Sequence, residues 1–329
     1  MKSLFKTFIS MFMIVVSTSA MGMEVNILSE RQEFLLKPFL DQFEKDTDIK
    51  ANVVYLKKGG LERIKAQPGA IDVVLTVDIS NLTKMNSADL FQQYESRIVD
   101  KNVPDHFRDP NGKWTALTAR ARIIYHSRER VKPSDLSTYE ALSDPKFKGR
   151  VCIRSGYHNY NLALISSVII THGPSKAKKW LKGLKANLAR KPQGNDRGQV
   201  KAIYSGLCDV SIGNTYYMGK MATNEKSPMQ KKWAASANLI FPNQDDRGAH
   251  VNISGAGITK HAKNKAGAMK LIEFLSGAAG QKIYAERNFE YPVKDGVALH
   301  PMVASWGTFK ADEAYLSKIA EYRSLAAKI

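Results

Sequence analysis

The sequence predicts an α/β fold built on a largely parallel sheet. Two observations carry this: short apolar runs rich in β-branched residues alternate with segments of helical apolar spacing, and that β-α-β order repeats along most of the chain. A third sets the scale. The roughly three hundred residues that follow the N-terminal segment suffice for two domains of ordinary size or one large one.

The first residues read as a leader. Lys2 and Lys6 precede an apolar run over residues 8–16, which is too short to span a bilayer, and the small residues Ser17-Thr18-Ser19-Ala20 follow. This predicts a cleaved bacterial-type secretory signal over residues 1–22, with cleavage after Ala20 or Gly22, and a soluble, exported mature chain. Strands are expected at 25–28, 53–56, 73–77, 121–125 and 208–212, with an extended segment at 251–258. Helices are expected at 33–47, where Leu36, Phe39, Leu40 and Phe43 have helical spacing, and at 61–66, 161–172, 175–186, 199–205, 265–275 and 278–287. There is no internal repeat and no low-complexity tract.

Composition is globular, at 43% hydrophobic and 24% charged, with a formal net charge of +18. Export argues against a nucleic-acid partner. The positives are also spread over helical stretches (Lys176, Lys178, Lys179, Lys182, Lys185) rather than interleaved with aromatics, which suits solvated faces of a basic protein that meets anionic ligands or a membrane surface. No segment after the leader approaches transmembrane length, so stable membrane insertion is not expected. The two cysteines, Cys152 and Cys208, allow one bridge in an oxidising compartment, or two buried free thiols.

One stretch organises the rest. Tyr216 and Tyr217 follow an apolar strand-like run and the pair Gly213-Asn214, so they fall where a strand ends and a helix begins. Open α/β sheets place ligands at that edge. Neighbouring phenols converge only if the backbone turns there, which the Gly-Asn pair is expected to provide.

Four phrases carry a family resemblance. Thr138-Tyr139-Glu140-Ala141-Leu142-Ser143-Asp144-Pro145-Lys146-Phe147-Lys148-Gly149-Arg150 resembles a signature of substrate-binding proteins of ABC importers, and residues 212–217 resemble the twin-tyrosine element of their ferric-iron branch. Residues 190–197 and 241–248 resemble further stretches of that branch, and the similarity runs from Val25 to about Trp306. The resemblance implies a two-lobed periplasmic-binding-protein fold with a hinge and an interlobe cleft, in which the chain crosses between lobes twice, here near residues 118–123 and 250–255. The lobes are then expected at 23–118 with about 254–300, and at about 119–253 with 301–329. It further implies a periplasmic monomer that delivers ferric iron to permease and ATPase subunits of an ABC importer.

Phenols suit that cargo. Ferric iron is hard and highly charged, it prefers anionic oxygen, and it displaces a phenolic proton that calcium or magnesium leaves in place. By position in the family pattern, the ligand phenols are Tyr216, Tyr217 and Tyr160. Where relatives carry a first-lobe tyrosine, this chain has Glu30 in Leu28-Ser29-Glu30-Arg31-Gln32, a hard oxygen donor of shorter reach. Three phenolates and a carboxylate leave one excess negative charge on the ferric site, which a nearby arginine offsets. Arg120 and Arg122, at strand spacing, are expected to point the same way and support the tyrosinates, with Arg120 preferred. Arg31 and Gln32 match the family and are expected to shape the cleft. Tyr157 is the substitute phenol should Glu30 fall short, and His158 reads as solvated or hydrogen-bonded. A small anion or water is expected to complete the shell.

Two rival classes stand beside this one. No Gly-x-Ser-x-Gly elbow, Walker loop, His-Glu-x-x-His or Cys-x-x-Cys occurs, so no enzyme is expected; Asp245-Asp246 reads as a polar loop. A same-fold binding protein for an organic anion, phosphate ester or polyamine is the alternative, favoured by the missing first-lobe tyrosine.

Overall fold

The structure is a computed structural model describing residues 23–56, 58–312, 316 and 318–329; the leader reading lies outside them. Strand β1 (Glu24–Ser29) pairs in parallel with β2 (Lys50–Tyr55) and β3 (Val73–Thr76). Between the first two, α1 (Glu33–Thr47) buries Leu36, Phe39, Leu40 and Phe43, the spacing that predicted it. It ends at Asp48, whose left-handed backbone (φ 55°) lets its N–H donate to Glu44 O. Helices α2 (Gly60–Ala66), α3 (Ile79–Ser87) and α4 (Arg97–Asn102) follow. Asp78 caps α3 by accepting from Ser80 N.

Strand β4 (Thr115–Ser127) is buried along all 13 residues, far longer than the 121–125 expected. Next come β5 (Val151–Cys152) and α5 (Asn159–Ala186), which is interrupted at Gly173 (φ 79°, ψ 162°) before Pro174. The break falls between the two helices expected there, 161–172 and 175–186. Then follow α6 (Asp196–Tyr204), β6 (Val210–Asn214), α7 (Tyr216–Ala222), α8 (Pro228–Ala235), β7 (Ala237–Ile240) and the long β8 (Ala249–Ile258). The chain closes with α9 (Lys265–Ser276), α10 (Ala278–Asn288), β9 (Tyr291–Pro292), α11 (Pro301–Ala304), β10 (Ala311–Asp312) and α12 (Ile319–Lys328).

Strand order is β2-β1-β3-β8-β4-β6-β5. The middle of this order is antiparallel, unlike the parallel outer pairs, because β4 and β8 run against each other. From Thr115 to Ala121 β4 pairs with β8, and from Arg122 onward it pairs with β6 and β7. One strand thus joins two sets of partners; the larger core reaches both, taking in Tyr125, Met218 and Ala237, and a smaller core lies beside β5 and β6. Phe39, Phe43, Val73 and Leu271 lie in the larger core, and Ile124, Leu142, Trp180 and Val210 in the second.

Cys152 and Cys208 are bridged, with Cα atoms 5.9 Å apart, so the free-thiol alternative falls away and β5 is tied to the approach to β6. The lysines of the second half of α5 are exposed, while Ala177, Trp180 and Leu184 face the core.

Candidate functional site

The chain leaves β6 at Asn214, turns into helical backbone at Thr215 (φ −50°, ψ −49°) and begins α7 with Tyr216 and Tyr217. The turn is therefore one residue later than the Gly-Asn pair, which lies inside the strand. Gly213 serves a different purpose: a Cβ there would sit 2.1 Å from the Tyr125 ring, so only glycine lets that buried ring pass. The Tyr216 and Tyr217 rings lie side by side, centroids 4.2 Å apart and tilted by 32°.

Tyr160 is the second residue of α5 rather than a loop residue, and its N–H donates to Nδ1 of His158 at 3.2 Å, which caps that helix. The His158 ring also meets the Tyr160 ring edge-on at 4.6 Å. Burial and the nearby Arg154 push His158 down to about 4, so it stays neutral and accepts that bond. The start of α5 and the start of α7 thus face each other. The Tyr160 and Tyr216 hydroxyls are 3.4 Å apart, and all three phenols line one cleft of about 170 Å³.

Glu30, Arg31, Gln32 and Arg120 line the same cleft. The Glu30 carboxylate is held from behind: Asn81 Nδ2 donates to one oxygen at 2.7 Å and Val77 N to the other at 3.1 Å. Burial raises its pKa despite those bonds. Arg31 donates to Glu290 at 3.0 Å and to Ser254 Oγ at 2.9 Å, with its guanidinium 5.3 Å from the Tyr284 ring. Tyr157 is 76% exposed and does not line the cleft.

Arg120 and Arg122 do point the same way, with guanidiniums 5.8 Å and 5.7 Å from the Tyr160 ring centre. Their engagements differ. Arg120 faces the cleft and donates to Ser254 Oγ (3.1 Å) and Val77 O, whereas Arg122 is buried behind it on Asp196, Asn214 and Asn161. Several residues escaped the sequence reading: Arg154, 5.2 Å from the Tyr160 ring; Arg197, 5.6 Å from the Tyr217 ring; and Asp196, which pairs with Arg122 and Arg154. Residues 190–197 carry the family resemblance as a phrase, without assigned roles. Burial alone would raise Asp196, but the two arginines hold its carboxyl below the usual range. Lys220, one turn after Tyr216, lines the cleft and donates to Arg287 O at 2.8 Å; burial pushes it down to about 8.

Burial and the neighbouring phenols raise Tyr216 well above the ordinary phenol range, and burial pushes Tyr217 up to about 12. At neutral pH both are therefore protonated unless a strong Lewis acid displaces the proton. Among the described residues no group of three or more His, Cys, Asp or Glu is placed to hold a metal, so the anionic donors gathered here are phenols with two carboxylates, Glu30 and Glu290, of which Glu290 is paired with Arg31.

Two joined α/β units enclosing such a cleft define a two-lobed periplasmic-binding-protein fold. The chain belongs to the bacterial extracellular solute-binding proteins, a family it matches over residues 69–314. It is 43% identical to iron uptake protein A1 of Synechocystis over 96% of this chain and 88% of that one. Among solved structures it is similar to the apo ferric ion-binding protein A of Pasteurella haemolytica, with a TM-score of 0.87 and 50% identity over 93% of this chain and 96% of that one. It also resembles a Trichodesmium protein (IdiA, FutA) in complex with iron and citrate ligands, with a TM-score of 0.88 and 38% identity over 93% and 97% of the two chains.

Proposed function

We propose that this protein captures ferric iron in its interlobe cleft, with Tyr160, Tyr216 and Tyr217 as phenolate ligands, and delivers it from the periplasm to the permease and ATPase subunits of an ABC importer. The observation that carries this reading is the 3.4 Å approach of two phenolic oxygens from helix starts far apart in sequence, beside a third. Hard oxygen donors in a pocket lined, among the described residues, by neither cysteine nor histidine select a hard trivalent cation.

Glu30 serves as the fourth donor. Its bonds to Asn81 and Val77 orient the carboxylate and leave each oxygen a further lone pair for the metal. Tyr157, exposed and away from the cleft, has no place in this set. Arg120, Arg122 and Arg154 around Tyr160 offset the excess negative charge. Arg197 and Lys220 in the cleft wall supply positive charge that suits a small anion or water completing the shell. The partner changes, on β4 between Ala121 and Arg122 and on β8 near Gly255, support a lobe division within a few residues of 118 and 254, and a hinge through those strands.

Titration of the metal-free protein with ferric citrate tests the reading. A visible phenolate-to-iron charge-transfer band that saturates at one iron per chain is expected; a colourless protein at saturating iron overturns it.

A further inference from the structure

Asp196 is fully buried at the start of α6, does not line the cleft and makes no hydrogen bond to Tyr160 or Tyr216. It nevertheless joins the segments that carry them. Arg154 Nη1 donates to one of its oxygens at 2.8 Å, and Arg154 O accepts from Asn161 Nδ2 at 3.1 Å. Arg122 Nη1 donates to the other oxygen at 2.8 Å, while Arg122 Nη2 reaches Asn161 Oδ1 at 2.7 Å. Asn161 immediately follows Tyr160. That second oxygen also accepts from Asn214 N at 3.0 Å, and Asn214 Oδ1 accepts from Arg122 at 2.9 Å. Asn214 precedes Tyr216 by two residues.

We propose that Asp196 is a positioning residue for the iron site: one carboxylate and two guanidiniums lock the start of α5 to the end of β6, and so set the distance between the Tyr160 and Tyr216 oxygens. This rests on the iron reading above. It carries a second consequence through charge. Arg122 and Arg154 both sit within cation-to-ring distance of Tyr160, and Asp196 cancels one of their two charges, so it fixes both where the guanidiniums lie and how much positive field the phenolate feels.

Asp209 supplies an internal control. It too is a carboxylate shared by two arginines, Arg130 at 2.5 Å and Arg150 at 2.7 Å, but it lies at the far end of β6 from the tyrosines. Ferric iron, in competition with citrate, is titrated into the full-length mature protein and its variants, and visible absorbance per bound iron is recorded alongside affinity and melting temperature. Asp196→Asn is expected to weaken iron binding at least tenfold and to change the charge-transfer band per bound iron. Asp209→Asn is expected to lower the melting temperature without altering either. Should Asp196→Asn fail to fold, Arg154→Gln removes a single spoke and is expected to change the band in the same sense, by less. A folded Asp196→Asn, or in its absence Arg154→Gln, with wild-type affinity and a wild-type band overturns the proposal while leaving the iron reading intact. A wild-type protein with no band sinks the iron reading itself.

Discussion

The Tyr160 hydroxyl lies 3.4 Å from that of Tyr216, and the two residues are 56 positions apart in sequence. Both occupy the first turn of a helix, where the backbone is fixed by a preceding strand or cap, so the meeting point is set by rigid elements. Loss of a direct ligand should cost more than the roughly 10- to 100-fold typical of outer partners. Tyr160→Phe and Tyr216→Phe are therefore each expected to weaken ferric iron by more than about 100-fold in competition with citrate. Tyr157→Phe, on an exposed ring, is expected to leave affinity and colour unchanged. Equal effects from Tyr157→Phe and Tyr160→Phe would displace the assigned ligand set.

Proton release should accompany binding. Tyr216 lies well above the phenol range and Tyr217 near 12, so below that pH each phenolate forms only by giving up a proton to solvent. Three phenolate ligands imply release of about three protons per iron at neutral pH, and an apparent affinity that falls by up to about a thousandfold per unit of acidification. A pH-stat titration with an unbuffered ferric complex, corrected for hydrolysis of the metal, counts them. Release of less than one proton would exclude a phenolate site.

Glu30 separates affinity from colour. A carboxylate contributes no phenolate charge transfer, so Glu30→Gln is expected to weaken iron about tenfold or more and to leave the band maximum in place. The amide would keep an oxygen for Val77 N but lose the carboxylate that accepts from Asn81. An unchanged affinity would show that the first lobe supplies no donor at this position.

Much of this architecture was legible in the residues. Helix α1 was bounded correctly because Leu36, Phe39, Leu40 and Phe43 carry its whole buried face. Strand β4 was cut short at its start because Thr115, Thr118 and Arg120 interrupt the apolar run on which the strand was recognised, whereas in the fold they are buried beside β8, which takes up their backbone bonds. The tyrosines were found through the family phrase, since phenols at helix starts look like ordinary packing. Asp196 was passed over because a charged residue after Gly-Asn reads as solvated turn. Its two arginine partners lie 74 and 42 residues away, a relationship local spacing does not express.

The disulfide should govern stability more than ligand chemistry. A bridge across 56 residues is expected to contribute about 4 kcal/mol through the unfolded chain. The double variant Cys152→Ser with Cys208→Ser should lose about that much in urea denaturation, and still show the charge-transfer band at saturating iron. Loss of the band in folded double variant would mean that the bridge, two residues before Arg154, also holds the site in shape.

His250 gives the fold an acid limit. It lies buried on β8, where neither ring nitrogen has a hydrogen-bond partner among the described residues. Burial, with Arg247, Arg122 and Arg120 nearby, pushes its pKa down to about 3. An unfolded histidine titrates near 6.5, so between these values the unfolded chain binds a proton that the folded chain refuses. Stability from this group is therefore intact above about pH 6.5 and declines as pH falls towards 3, by up to about 1.4 kcal/mol per unit, or roughly 2 kcal/mol between pH 7 and 5. His250→Gln does not titrate in this window. Urea denaturation at the two pH values is expected to show the variant losing roughly 2 kcal/mol less than the wild type, and identical losses would mean that His250 accepts its proton in the folded state.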